Sequence, residues 1–299
     1  MTALAVSLAG RDILRSADLA TGETEAVLEL AAELKLDRYE ARLPGRTLGL
    51  LFKKPSTRTR VSFAVAIAQL GGAAVPLQAE ELQLSRGESL GDTARVLSSY
   101  LDAIAIRTFE QQELEEWADA ASIPVVNALT DEEHPCQALA DVLTIRERFG
   151  TTDGLRIAWL GDGTNVCNSL GVAAAALGMQ MVAACPAGYE PRDVEVVRDP
   201  REAVAGAHVL VTDTWTSMGR EADAAKRLHD LSRTGSASRS SGLPTATRSC
   251  CTACRPTQAK RSTPPCSTAR ARRCGRRRKT ACTCRRRSWR CCSARQPAR

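Results

Sequence analysis

Apolar residues follow two rhythms along the first three quarters of the chain. Residues 26–36 carry them at helical spacing. Thr47–Phe52 is a short apolar run that stops at a polar turn and predicts a buried strand. Residues 73–77 and 103–107 read likewise, each after a helical stretch, and 123–127 is another such run. Residues 137–148 predict a helix. A strand over 155–160 then enters Gly161-Asp162-Gly163-Thr164-Asn165, and a helix continues through Ala176. Residues 179–184 and 208–212 supply two more strands. Strands alternating with helices predict an α/β class with parallel sheets. Two such units joined near residues 149–153 predict two doubly wound domains, with ligands at the carboxyl ends of strands.

The rhythm stops near residue 232. All 34 acidic residues lie at or before Asp230, so residues 1–232, with 22 Lys and Arg, have a net charge of −12. Residues 233–299 have 19 Lys and Arg, no acid, and nine of the 12 cysteines. Leu243 and Trp289 are their only large apolar side chains. Such a segment cannot bury enough apolar surface to offset the entropy of ordering it. The expected organisation is therefore a first domain over 1–149, a truncated second over 150–232, and a disordered basic tail over 233–299. A zinc module could use Cys251 and Cys254, but Cys282 and Cys284 have the wrong spacing and no His follows His229. A nucleic-acid arm could use Arg276-Arg277-Arg278-Lys279 and Arg285-Arg286-Arg287. Translation of a GC-rich gene out of frame also yields such a composition.

The densest candidate chemistry is Phe52-Lys53-Lys54-Pro55-Ser56-Thr57-Arg58-Thr59-Arg60, which leads into a Gly- and Pro-free stretch. Pro55 marks a boundary and Ser56 fits an N-cap. Free N–H groups at a helix start, short hydroxyls and guanidiniums together make an anion site. A solvated basic helix start is the plain alternative. Gln83 lies in Leu-Gln-Leu-Ser-Arg-Gly-Glu-Ser, Arg107 in Ile-Arg-Thr-Phe, and His134-Pro135-Cys136-Gln137 precedes Ala-Leu-Ala-Asp. Taken singly, His134 could satisfy a loop carbonyl, Arg107 could form a surface ion pair, and Gln83 could be an ordinary loop residue. The Gly161–Asn165 turn lacks a full dinucleotide-binding glycine pattern, and tight-turn geometry accounts for its glycines.

In order and spacing, these motifs resemble the carbamoyltransferase family from about Leu14 to about Asp230. The resemblance implies attack of an amine on the carbonyl carbon of carbamoyl phosphate. Ser56, Thr57, Arg58 and Thr59 would hold the phosphate. Arg107, His134 and Thr59 would polarise the carbonyl, and Gln137 would fix the carbamoyl NH2. It also implies a trimer, with Gln83 reaching a neighbouring subunit's site. Asp213-Thr-Trp-Thr-Ser217-Met218-Gly219 and the residues before His134 look like the ornithine branch. Asp213 would bind the α-ammonium of ornithine, and Asn165, Ser217 and Met218 its carboxylate end. The products would be citrulline and phosphate, in arginine biosynthesis or the arginine deiminase pathway. Ala64 departs from the family, which usually has Glu there. Another acceptor, such as aspartate, and a non-catalytic nucleic-acid-binding role are the alternatives.

The resemblance also bears on the tail. Codons for residues 251–255 can be chosen so that reading two bases later gives His-Cys-Leu-Pro, a late motif of that family. The same shift over residues 277–283 gives Ala-Glu-Asn-Arg-Leu-His, another family motif. The expectation is a frame break close to residues 231–233 and a chain inactive for want of its late motifs. No metal or cofactor is expected. No apolar run approaches the roughly 20 residues of a membrane helix, and Met1-Thr2-Ala3-Leu4 opens no convincing signal peptide. Cys136, Cys167 and Cys185 point to a reducing compartment, and cytoplasm is expected.

Overall fold

Thr47–Phe52 forms strand β1, and Leu50, Leu51 and Phe52 are all buried. Burial at successive positions means that both faces are covered, as in a parallel sheet flanked by helices. The computed structural model describes residues 8–37, 41–78, 82, 87–213, 226–227 and 229–231. Around β1 lie β2 (Ala73–Gln78), β3 (Ala103–Arg107) and β4 (Val125–Leu129), all parallel, in the order β2-β1-β3-β4. Pro76 cannot donate to a ladder, and it sits in the edge strand β2, where that loss is tolerated. Leu51, Ile104, Ile106, Leu114 and Trp117 make one core cluster, while Leu50, Phe52, Ala105 and Ala128 belong to another. Alternate strand residues thus feed opposite faces.

The helices of this part are α1 (Thr21–Leu36), α2 (Thr57–Gln69), α3 (Leu90–Ser98) and α4 (Gln111–Ala120). Helix α1 starts five residues before the predicted segment, because the Ala20 N–H donates to Glu23 Oε2 at 2.9 Å and closes a polar first turn. Strand β4 runs two residues later than predicted. Pro124 has no N–H, and the Val125 N–H turns instead to Asp12 Oδ1 at 2.7 Å. At the far end the β3–β4 register slips between Ile106 and Arg107. Arg107 therefore sits at a bulge, a device that re-aims a side chain next to a site.

After α5 (Pro135–Phe149) the chain forms a second parallel sheet from β5 (Arg156–Leu160), β6 (Gln180–Ala184), β7 (Glu195–Val197) and β8 (Val209–Val211). Its order is β7-β6-β5-β8. Its core includes Ala158, Leu160, Val182, Ala184, Ala203 and Val204. Two further helices are α6 (Asn165–Ala176) and the short α7 (Pro200–Val204), the latter capped by Asp199 Oδ1, which accepts from the Arg201 N–H at 2.9 Å. Two parallel-sheet α/β units thus stand as the pattern predicts. By packing, α6 belongs with the first: described residues up to Ala140 plus Thr164–Leu177 form one compact unit, and Asp141–Gly163 with those from Gly178 form the other. Helix α6 packs on α1 and on the 3-10 turn Ser16–Asp18. Among the described residues no helix is long and apolar enough to cross a membrane. The expected tail over 233–299 lies outside the described residues.

Candidate active site

In the first sheet the chain leaves β1 towards β2 on one side, while β3 lies on the other. The loops after β1 and β3 diverge there, at the strands' carboxyl ends, the usual ligand position in such sheets. The run singled out in the sequence falls at this switch point. Ser56 is extended (φ −158°, ψ 92°), and its Oγ accepts from the Thr59 N–H at 3.4 Å, so it caps α2 as expected. Thr57 and Arg58 are exposed on the first turn, at the positive end of the helix.

The lysines before this turn have structural tasks. Lys54 is buried, pairs with Asp131, and has its Nζ 4.1 Å from the centre of the Phe109 ring. Lys53 pairs with Glu113, and its N–H donates to the Arg107 carbonyl at 2.9 Å. That bond ties the turn before α2 to the end of β3. The Arg60 guanidinium lies over Phe52, 5.3 Å from the ring centre. Arg107, the last residue of β3, is buried with 8 % exposure.

His134 and Gln137 come from the next strand along, β4. Thr130 shapes the connection: its hydroxyl donates to Gln111 Oε1 at 2.7 Å and accepts from the Glu133 N–H at 3.1 Å. The Thr130 N–H in turn donates to the Glu133 carbonyl at 2.9 Å. The His134 carbonyl accepts from the N–H groups of Gln137 and Ala138 at 3.0 and 3.2 Å, starting α5. The His134 N–H donates to Ser169 Oγ at 2.8 Å, and the Ser169 hydroxyl donates to the Glu133 carboxylate. Cys136 directs its thiol to the Asn127 carbonyl at 3.6 Å, and burial pushes its pKa up to about 11. Arg107 ends β3, and Ser56, Thr57, Arg58, Thr59, His134 and Gln137 belong to loops or helix starts at the same end of three adjacent strands. An array of donors and fixed cations there can bind an anionic ligand such as a phosphate and stabilise negative charge developing beside it.

The second sheet has its own switch point, between β5 and β8. Gly161 has φ 128°, which disfavours a side chain. A Cβ on Gly163 would lie 2.2 Å from Pro191 N. Backbone geometry thus requires both glycines. Asp162 pairs with the buried Arg227, and its carbonyl accepts from Trp159 Nε1 at 2.9 Å. Asp213 is half-buried just beyond β8. Asn165 opens α6, where its Nδ2 donates to the Thr130 carbonyl at 2.5 Å and its Oδ1 accepts from the Val166 N–H at 2.9 Å. Gln83, Ser217 and Met218 lie outside the described residues. Sequence reasoning missed Thr130, Glu133 and Ser169. The acids before His134 were visible, but nothing local marks Glu133 as the buried one.

The profile described as "Aspartate/ornithine carbamoyltransferase, carbamoyl-P binding domain" matches residues 11–147, and that of the "Asp/Orn binding domain" matches residues 153–234. The chain belongs to the aspartate/ornithine carbamoyltransferase family. Among curated relatives, an ornithine carbamoyltransferase of Anoxybacillus flavithermus is 50% identical over 75% of this chain and 78% of its own length. One of Parasynechococcus marenigrum is 52% identical over 74% of each. The solved ornithine carbamoyltransferase structure from Pyrococcus furiosus superposes with a TM-score of 0.72 at 45% identity, covering 76% of this chain and 79% of that one. That from Thermus thermophilus gives 0.69 at 42%, covering 75% and 78%. The family match ends at residue 234, so the second domain of this carbamoyltransferase chain is truncated.

Proposed function

We propose that the site is that of an ornithine carbamoyltransferase, which moves the carbamoyl group of carbamoyl phosphate to the side-chain amine of L-ornithine. The observation that carries this reading is the capped start of α2 beside Arg107 at the switch point of the first sheet. The phosphate rests on Ser56, Thr57, Arg58 and Thr59. Arg107, His134 and Thr59 polarise the carbonyl, and Gln137 orients the carbamoyl NH2. The neutral amine attacks the carbonyl carbon, the bond to the bridging oxygen breaks, and phosphate leaves with that electron pair while the nitrogen sheds a proton. Charge collects on the carbonyl oxygen and on phosphate, where preorganised donors and cations act most strongly. Holding both reactants together supplies much of the remaining acceleration.

The acceptor is read from Asp213 for the α-ammonium, with Asn165, Ser217 and Met218 for the carboxylate end. The names of the relatives above support ornithine over aspartate. On this reading residues 1–149 bind carbamoyl phosphate and residues 150–232 are a partial ornithine domain. The enzyme is a cytoplasmic homotrimer, Gln83 serves the neighbouring site, and the product citrulline belongs to arginine metabolism. Residues 233–299 are an out-of-frame tail, and the chain as translated lacks turnover because the late motifs are missing. Sequencing the gene across codons 225–240 tests the frame. Calorimetric titration of carbamoyl phosphate into the full chain tests the first half-site. Saturable binding that falls at least about tenfold (about 1.4 kcal/mol) in Arg107→Gln is expected. Equal affinity in both would overturn the assignment.

A further inference from the structure

The reading of His134 as the group that polarises the carbonyl requires its ring to be held in place, and the fold holds its backbone from both sides. Pro135 restricts the preceding residue to extended conformations, which removes most freedom in ψ. The His134 carbonyl is fixed by the N–H groups of Gln137 and Ala138. The remaining freedom, rotation of the peptide before His134, is fixed by the N–H donated to Ser169 Oγ at 2.8 Å. Ser169 is fully buried on α6, and its hydroxyl proton goes to the Glu133 carboxylate. Glu133 is itself buried and also accepts from the Ser16 N–H at 3.4 Å. A serine that donates to a carboxylate has its lone pairs oriented towards the next donor, and that donor is the amide of His134.

We infer that Ser169 and Glu133 are positioning residues for His134, setting the imidazole through its own backbone amide without touching the substrate. The inference rests on the proposed carbamoyl-phosphate site. It explains why a carboxylate is buried next to a site for an anion: it is engaged by the Ser169 hydroxyl and the Ser16 amide. Asn165 and Asn168 of α6 also hold this loop, at the Thr130 and Glu132 carbonyls, at 2.5 and 3.2 Å; the Ser169 bond is the one that acts on His134 itself.

The test uses the full chain with histidine labelled at Cε1, where only three side-chain signals arise. The His134 signal is assigned with His134→Gln, and inorganic phosphate is the probe. In the unsubstituted chain phosphate shifts the His134 signal saturably. Ser169→Ala is expected to move the phosphate-free His134 signal and to weaken the phosphate response roughly fivefold to tenfold, about 1–1.4 kcal/mol. Ser169→Thr, which keeps the hydroxyl, restores both to within about twofold. Glu133→Gln keeps the size of the side chain and serves if circular dichroism shows Ser169→Ala unfolded; a severalfold weaker response is expected. A responsive parent whose variants bind phosphate equally well and leave the His134 signal unmoved overturns the positioning role alone. A parent whose His134 signal ignores phosphate overturns the anion site itself and the positioning role with it.

Discussion

Substitution of Gly163 by alanine tests whether the glycines of the Gly161–Asn165 turn answer to backbone packing or to a ligand. The added Cβ would lie 2.2 Å from Pro191 N, 2.5 Å from Pro191 Cδ and 2.6 Å from Glu190 C. These are backbone and ring atoms, which cannot swing aside as a flexible side chain does. The loop carrying Glu190 and Pro191 must move, and it is tied to this turn because the Gly163 N–H donates to the Tyr189 carbonyl at 2.8 Å. Overpacking of this kind costs about 1–3 kcal/mol. At roughly 4–8 °C per kcal/mol for a domain under about 100 residues, the unfolding midpoint should fall by several degrees or more. Gly22 is the control. It lies in the first turn of α1 with nothing within 4 Å of a built Cβ, so Gly22→Ala should stabilise by about 0.4–1 kcal/mol. Calorimetric scans of the two variants should therefore shift in opposite directions. A Gly163→Ala midpoint within a degree or so of the parent would refute the packing argument and return those glycines to a ligand-binding explanation.

Leu114→Ala removes a fully buried side chain from the core of the first sheet and should cost about 2–5 kcal/mol in urea unfolding; a loss below about 1 kcal/mol would mean the site collapses or is not core. The Asp102 carboxyl is held down to about 2, chiefly by the Thr47 N–H and then by Arg46. A lowered pKa favours the folded state above the ordinary carboxylate value and loses that advantage as pH falls through about 2. The stability gap between parent and Asp102→Asn should thus be constant near neutrality and shrink from about pH 4 downwards; a gap unchanged at pH 3 would contradict it. Burial raises the thiol of Cys136 to about 11, and burial with the Glu190 charge raises that of Cys185 to about 12. Both should resist iodoacetamide at pH 8 until the chain unfolds, as read by peptide mass spectrometry; rapid labelling of either in the folded chain would refute this.

Legibility in the sequence followed how local each cause was. Strands β1, β3, β5 and β6 announce themselves because parallel strands covered on both faces are continuous apolar runs. Helix α4 leaves no clear apolar period in the sequence, since QQELEEWADA buries only Gln111, Leu114 and Trp117. The short β7 and α7 give too few residues for any period to show. The start of β4 hinged on Pro124, whose missing N–H moves the ladder two residues along. At the site, the helix cap at Ser56 is local and was legible. The fate of Lys54 was not: it reads as part of an exposed basic run, yet it is buried against Asp131 and Phe109. Ser169 meets Glu133 across 36 residues of chain, a contact only tertiary packing makes visible.

Turnover resolved by acceptor is the most direct measurement. A gene with one base inserted or removed near codons 231–233, so that the downstream frame reads His-Cys-Leu-Pro, would be expressed beside the chain as it stands. Each product would receive carbamoyl phosphate with ornithine or with aspartate. The account predicts citrulline from ornithine in the restored enzyme alone, with no carbamoylated aspartate. Citrulline from the present chain, carbamoylated aspartate, or a folded restored protein inert towards ornithine would contradict it.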